Sequence, residues 1–264
     1  MGSSEDGLHS SAPSTIKRPW VSSIAVRTAL FVITLFSVVR FLVGMPETPE
    51  RRQPLSPDHA AYTVRNATKD DLDDIVRIVQ AGFPDDPEVD YRFPSRKEYP
   101  EDYAKWTRIE YRDYLEQPEK FVVHLVEARS PIALAVWDIA VLTPANGTGM
   151  GLDKRRDADK QHCEAYNKVV AGCFVKYFNK YAEKQVHLWL IVTHPDFRRR
   201  GAGTLLMDWG MHNRKRWPLT LFASPMGQKL YEHMQFKKVA SEYIQVPGED
   251  EKLRFAVMER HFDR

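Results

Sequence analysis

The chain has 264 residues, of which 43% are hydrophobic and 28% charged, room for one substantial globular domain and an appendage. With 38 basic against 36 acidic side chains, the formal net charge of +2 lacks the basic excess on which nucleic-acid binding rests, and no nucleic-acid partner is expected. The only cysteines, Cys163 and Cys173, cannot build a zinc ligand set or a disulfide framework; they read as two buried or half-buried thiols, and no metal is expected.

Residues 1–19 are rich in Ser, Gly and charge without apolar periodicity, and are expected to be a disordered polar tail. Residues 20–45 differ sharply. No charge occurs from Thr28 to Val39, and Phe41, Leu42 and Val43 carry the apolar run past Arg40. A membrane span needs about 20 mainly apolar residues. The stretch reaches that length only with an arginine near its end, where the side chain can snorkel. It reads as a hydrophobic helix and a membrane anchor, single-pass or peripheral; a helix docked on the domain is the other reading. Basic residues flank both ends and leave the orientation open. Residues 46–60, with Pro46, Pro49, Pro54 and Pro57, read as a semi-rigid linker, and residues 61–264 as the globular domain.

Within the domain, Tyr62 to Arg65 reads as a short strand. A helix then runs to Gly82, with Thr68 as its N-cap and Leu72, Ile75, Val76 and Val79 on one face. Residues 85–100, with Pro87, Pro94 and Pro100, read as a loop. The aromatic-rich stretch from Asp102 to Glu116 reads as a helix, followed by strands at Phe121 to Val126 and Ile132 to Val141. A polar insertion, Pro144 to Asp159, carries the Lys154-Arg155-Arg156 cluster, read as solvated. One long helix is expected from Lys160 to Glu183.

Val186 to Val192 is the strongest strand signal. A turn follows, then Arg198-Arg199-Arg200-Gly201-Ala202-Gly203-Thr204, then a helical pattern through Leu205, Leu206 and Trp209. Backbone N–H groups at a helix start have no internal partner, and the helix dipole adds positive potential. Together they bind phosphate groups. Gly201 and Gly203 let an anion approach the backbone, and the arginines add charge-assisted donors. A dinucleotide-binding Gly-x-Gly-x-x-Gly in a first βα unit and a phosphate loop ending in Lys-Ser/Thr are both absent.

Here the chain resembles the GNAT superfamily of N-acetyltransferases, whose signature is Arg/Gln-x-x-Gly-x-Gly/Ala after the fourth strand. Arg198, Gly201 and Gly203 match it, and the order continues with a strand at Pro218 to Ala223 and a short helix holding Leu230-Tyr231. Strands opening at Phe236 and at Leu253 follow. The resemblance, closest to fungal small-molecule members, covers about Tyr62 to Glu259. It implies an α/β acyl-CoA N-acyltransferase fold: a mixed, mostly antiparallel sheet, splayed between its fourth and fifth strands and flanked by helices, with the N-terminal hydrophobic helix outside it. It implies acetyl-CoA as acyl donor, transfer to a small-molecule amine by direct attack on the thioester, and no metal. The backbones of Leu190, Ile191 and Val192 would receive the pantetheine arm. The segment from Arg198 through Arg199, Arg200, Gly201, Ala202 and Gly203 to Thr204 would hold the pyrophosphate. Tyr231 stands where the family often places its general acid. His187, near the start of the fourth strand, is the candidate base, since its ordinary pKa suits the task and no acidic residue occurs from Val186 to Val192. Ser224 occupies a place where relatives often carry an asparagine that touches the coenzyme. A membrane-tethered coenzyme-binding or scaffold module without turnover is the alternative. The supply of acetyl-CoA favours a cytosolic catalytic face, with a soluble cytoplasmic protein as the alternative. Neither the acceptor's identity nor the oligomeric state is legible.

Overall fold

The computed structural model describes residues 62–141, 151–212 and 216–262. The expected polar tail, hydrophobic helix and linker lie outside these residues. Among the described residues, no helix is long and apolar enough to cross a membrane.

Seven strands form one mixed sheet in the order β1-β2-β3-β4-β5-β7-β6. They are β1 Thr63–Asn66, β2 Phe121–Glu127, β3 Pro131–Asp138, β4 Val186–Thr193, β5 Leu219–Ala223, β6 Lys237–Ile244 and β7 Leu253–Arg260. All neighbours run antiparallel except β4 and β5. β3 is buried along its whole length, as its unbroken apolar sequence requires of a central strand.

Helices cover both faces. On one, α5 (Ala202–Met211) and the short α6 (Gln228–His233) close a core around Trp137, Leu188, Leu206, Leu219 and Met258. On the other, α1 (Leu72–Gly82) lays Leu72, Ile75, Ile78 and Val79 against Leu125, Leu134 and Val136, with Tyr111 of α3 (Pro100–Glu116). Further along that face, α4 (Lys160–Cys173) packs Val170 against Phe255 and Val257. Between α1 and α3 lies α2 (Pro87–Arg92), inside the segment expected to be a loop.

α1 is anchored at its start. Asp71 accepts from the Thr68 backbone N–H at 2.7 Å and from the Arg65 guanidinium of β1 at 2.7 and 2.8 Å. The arginine holds the carboxyl down at about 2. At its other end, a Cβ on Gly82 would lie 2.0 Å from Val192 Cγ2, so glycine is what lets α1 meet β4.

The expected helix from Lys160 to Glu183 is not continuous. After Cys173 the chain widens into a π-helical turn, Phe174–Phe178, and then tightens into a 3₁₀ turn, Asn179–Tyr181. The wide turn lets both Phe174 and Phe178 reach the ring of His187, at 4.5 and 5.8 Å between centroids. Arg155 also departs from expectation: its side chain is buried, donates to Asp157 at 2.9 Å and lies over the Phe93 ring.

The site is set by one irregularity. β4 stays paired with β3 as far as Thr193, and β5 with β7 as far as Ala223, but the β4–β5 rungs end at Leu188 opposite Leu221. Trp189 is the extra residue of a bulge against β3 at this point. Beyond it β4 and β5 part, and one backbone edge of Leu190 to Val192 is left without a strand partner among the described residues.

Candidate active site

α5 begins where the strands part. Arg199 (φ 61°) and Gly201 (φ 89°) both take left-handed backbone, which folds the chain back from β4 into the helix. The N–H groups of Ala202, Gly203 and Thr204 fall in the first helical turn, which has no internal acceptors. A Cβ at Gly203 would meet only Leu230 Cδ2 at 3.4 Å and Ile191 Cδ1 at 4.0 Å. Protein packing therefore does not demand this glycine, and its open face lies between β4 and α6. Arg199 and Arg200 are exposed, with no carboxylate partner among the described residues. The loop thus offers unspent N–H donors and two cations without a carboxylate partner among the described residues, Arg200 lying over the Phe197 ring, a set that fits a pyrophosphate.

Arg198 is differently employed. Its guanidinium donates to the carbonyl of Gly82 at 2.5 Å and to that of Thr193 at 3.4 Å, tying the end of α1 to the end of β4. Arg198→Ala should lower unfolding stability by about 1–2 kcal/mol through loss of these charge-assisted bonds. Urea melts would check this, and an unchanged midpoint would count against the tie.

Across the opening, α2 is built for its place. Asp86 caps it, accepting from Glu88 N–H at 2.9 Å, and Pro87 fills its first position. The other Asp86 oxygen accepts from the Ser224 hydroxyl, just beyond β5, at 3.0 Å. Ser224, expected to touch the coenzyme, is thus joined to α2. This tie joins the start of α2, which carries Glu88, to the end of β5. The Glu88 carboxylate accepts from Tyr166 Oη at 2.7 Å and from Arg92 Nη2 at 3.0 Å. The Arg92 guanidinium lies 4.4 Å over the Tyr166 ring. Glu88 is set deep among protein atoms, yet 21% of its side chain stays open, as in the wall of a cleft. Desolvation raises its pKa, with a further push from Asp86 that Arg92 and Tyr166 resist.

Tyr231 on α6 is buried. Its phenol is pushed up first by desolvation and then by the carboxylates of Glu88 and Asp86, so at neutral pH it keeps its proton. The structure therefore brings Tyr231 and Glu88 into one field.

His187 is not part of it. It is 1% exposed, within a cage of Phe174, Phe178, Trp189 and Phe222. The Thr220 hydroxyl donates to Gln185 at 3.0 Å, so His187 Nδ1, 2.9 Å from that hydroxyl, must be the donor between them. Burial pushes the ring down to about 3, leaving a neutral imidazole in the core. Glu88, absent from the sequence expectations, is with Asp86 a carboxylate whose charge acts on Tyr231. Its signal was Asp86-Pro87, a cap followed by a proline at the first helical position. Among the described residues, no cluster of His, Cys, Asp and Glu is arranged to hold a metal ion.

The family description "Acetyltransferase (GNAT) domain" matches residues 158–238, a segment that contains β4, the arginine–glycine loop, α5, β5 and α6. An acetyltransferase of the fungus Stachybotrys chartarum is 23% identical over 207 residues, covering 73% of this chain and 88% of its own. Mosquito arylalkylamine N-acetyltransferase like 5b superposes with a TM-score of 0.56 at 16% identity, over 76% of this chain and 100% of its own. The C-terminal condensation domain of Ebony, in complex with beta-alanyl-dopamine, does so with a TM-score of 0.55 at 13% identity, over 76% and 99%. At such identities the two structures speak for the fold. The matched segment spans the very loop and helix that face the parted strands, so residues 158–238 carry a GNAT acetyltransferase domain and the chain is an acyltransferase enzyme.

Proposed function

We propose that the chain acetylates a small aromatic amine, with acetyl-CoA as donor and direct attack of the amine on the thioester. The observation that carries this reading is the placement of Glu88. It is a deep but open carboxylate with a raised pKa, whose charge reaches the protonated Tyr231 of α6. Acetyl-CoA supplies an acyl group already activated as a thioester. The N–H groups of Gly201 to Thr204, with Arg199 and Arg200, hold its pyrophosphate; the free edge of Leu190, Ile191 and Val192 aligns its arm as an added strand. Glu88 takes the proton that the amine must shed as its nitrogen bonds to the acyl carbon. Tyr231 gives its proton to the sulfur as the C–S bond breaks. His187 has no part in the transfer and serves the core.

The aromatic character of the acceptor rests on the rings near Glu88. Tyr166 lies against its carboxylate, and the Arg92 guanidinium that pairs with it lies over both the Tyr166 and the Phe93 rings. The arylalkylamine acetyltransferase and the condensation domain bound to beta-alanyl-dopamine agree with this class of acceptor.

A panel of arylalkylamines, polyamines and peptide N-termini, followed by release of free coenzyme thiol, tests the reading. Turnover is expected with arylalkylamines above the rest. Coenzyme binding with no transfer to any amine would instead mark a binding or scaffold module. Tyr231→Phe should lower kcat roughly 10- to 100-fold, the lower part of the general-acid range because a thiolate leaves readily. A kcat unchanged in this variant would remove Tyr231 from the chemistry.

A further inference from the structure

α2 is a helix of six residues, so contacts from outside it decide where Glu88 and Arg92 stand. Its last carbonyls are capped by the start of α4. Asp159 N–H donates to Arg92 O at 3.0 Å, and the Cys163 thiol lies 3.4 Å from the same oxygen. His162 Nδ1 is 2.8 Å from Tyr91 O. The His162 ring lies flat on the Tyr91 ring, with centroids 4.0 Å and planes 3° apart. Its second nitrogen, Nε2, is 2.7 Å from Glu249 Oε2, in the turn between β6 and β7.

A carbonyl oxygen and a carboxylate oxygen only accept. A neutral imidazole carries one N–H and can satisfy one of them; only the imidazolium donates to both. The ring is 11% exposed, so water cannot readily replace a lost partner. A cation is also favoured at the end of a helix, where the carbonyls concentrate negative potential.

We infer that His162 is a positioning residue: its imidazolium clasps α2 to the β6–β7 turn and so holds Glu88 in place, and loss of its ring proton loosens the clasp. For its effect on turnover the inference rests on Glu88 being the base. The titratable groups around the ring come from every element packed on it. They are the Tyr91 phenol of α2, Asp159 of α4, and Glu249 of the turn, with Glu251 acting on Tyr91 from the same turn. Burial opposes the charge, but Glu249, the Tyr91 carbonyl and Asp159 outweigh it, and the ring's pKa stands above its ordinary 6.5. A raised folded-state pKa gives a contribution that is complete below 6.5 and disappears as pH rises through the folded value.

The test uses the full chain and its Glu249→Gln variant, which keeps an acceptor oxygen and removes the charge. NMR gives the His162 pKa, hydrogen exchange the protection of the amides of Asp90 and Phe93, which bond within α2, and kinetics the pH profile of kcat. In the wild type, protection should fall roughly tenfold as the ring loses its proton, the size expected for a charge-assisted hydrogen bond. The alkaline loss of kcat should track it. In Glu249→Gln, the ring pKa, the loss of protection and the loss of kcat should all move to lower pH together. His162→Phe, which keeps the stack and loses both bonds, should show low protection that no longer depends on pH. A ring that titrates while α2 protection stays constant would overturn the clasp. Protection that follows the ring in a protein that turns over no amine would support the clasp and count against Glu88 as base. If His162→Phe does not fold, the wild type and Glu249→Gln still decide the matter.

Discussion

Glu88→Gln is expected to lower kcat for acetyl transfer about 10²–10³-fold, the size associated with loss of a positioned general base. Glutamine has nearly the same shape and can still accept from Tyr166 and Arg92, so the substitution removes proton affinity and charge with little change in packing. The two native partners are close, at 2.7 and 3.0 Å, which keeps the amide from wandering. Arg92 loses its counter-ion, so some rise in KM should accompany the fall in kcat. The pH profile should change as well. In the wild type the acidic limb should lie above the ordinary carboxylate value of 4.5, because desolvation raises Glu88. In the variant that limb should vanish. Steady-state kinetics over a pH series would show both effects. A variant within about twofold of wild type would move the base elsewhere, with Glu110 next in line as a desolvated carboxylate held by Tyr114 at 2.8 Å.

Gly203→Glu should abolish coenzyme binding and leave the fold in place. Two effects oppose each other here. A carboxylate in the first turn of α5 suits the positive end of the helix dipole and favours the helix. The same carboxylate repels a pyrophosphate, and its side chain would start out between Leu230 and Ile191, across the way to the free edge of β4. Thermal unfolding separates the two. Acetyl-CoA at about 100 times its dissociation constant should stabilise the wild type by about 2.7 kcal/mol and leave the variant's midpoint where it was. Equal stabilisation of both would remove the pyrophosphate from this loop. A variant that fails to fold would show a lowered midpoint without ligand, whereas the dipole argument expects little change.

Most of the sheet and the loop that follows β4 could be read from sequence because their signals are local. The apolar run of β4, the arginine–glycine loop and the helix that follows are contiguous, and Thr68 caps the 3₁₀ turn, Lys69–Asp71, that leads directly into α1. The acceptor side was less legible. α2 has six residues, too few to show a period, and the prolines at 87, 94 and 100 masked it. Its Asp86-Pro87 start was the available sign. His187 was chosen for its ordinary pKa, but a strand's alternation does not reveal which face opens to solvent; burial, a tertiary property, decided against it. Arg198 was read by its charge, while its partner Gly82 lies 116 positions away. The break after Cys173 was invisible because apolar spacing barely differs between an α-helix and one that widens for a single turn.

Calorimetric titration of the full chain with acetyl-CoA tests the central claim most directly. Binding in the micromolar range, at one site per chain and lost in Gly203→Glu, is expected. A folded protein that takes up no acetyl-CoA would contradict the claim, because the open N–H groups of α5 and the parted edge of β4 would then serve some other purpose.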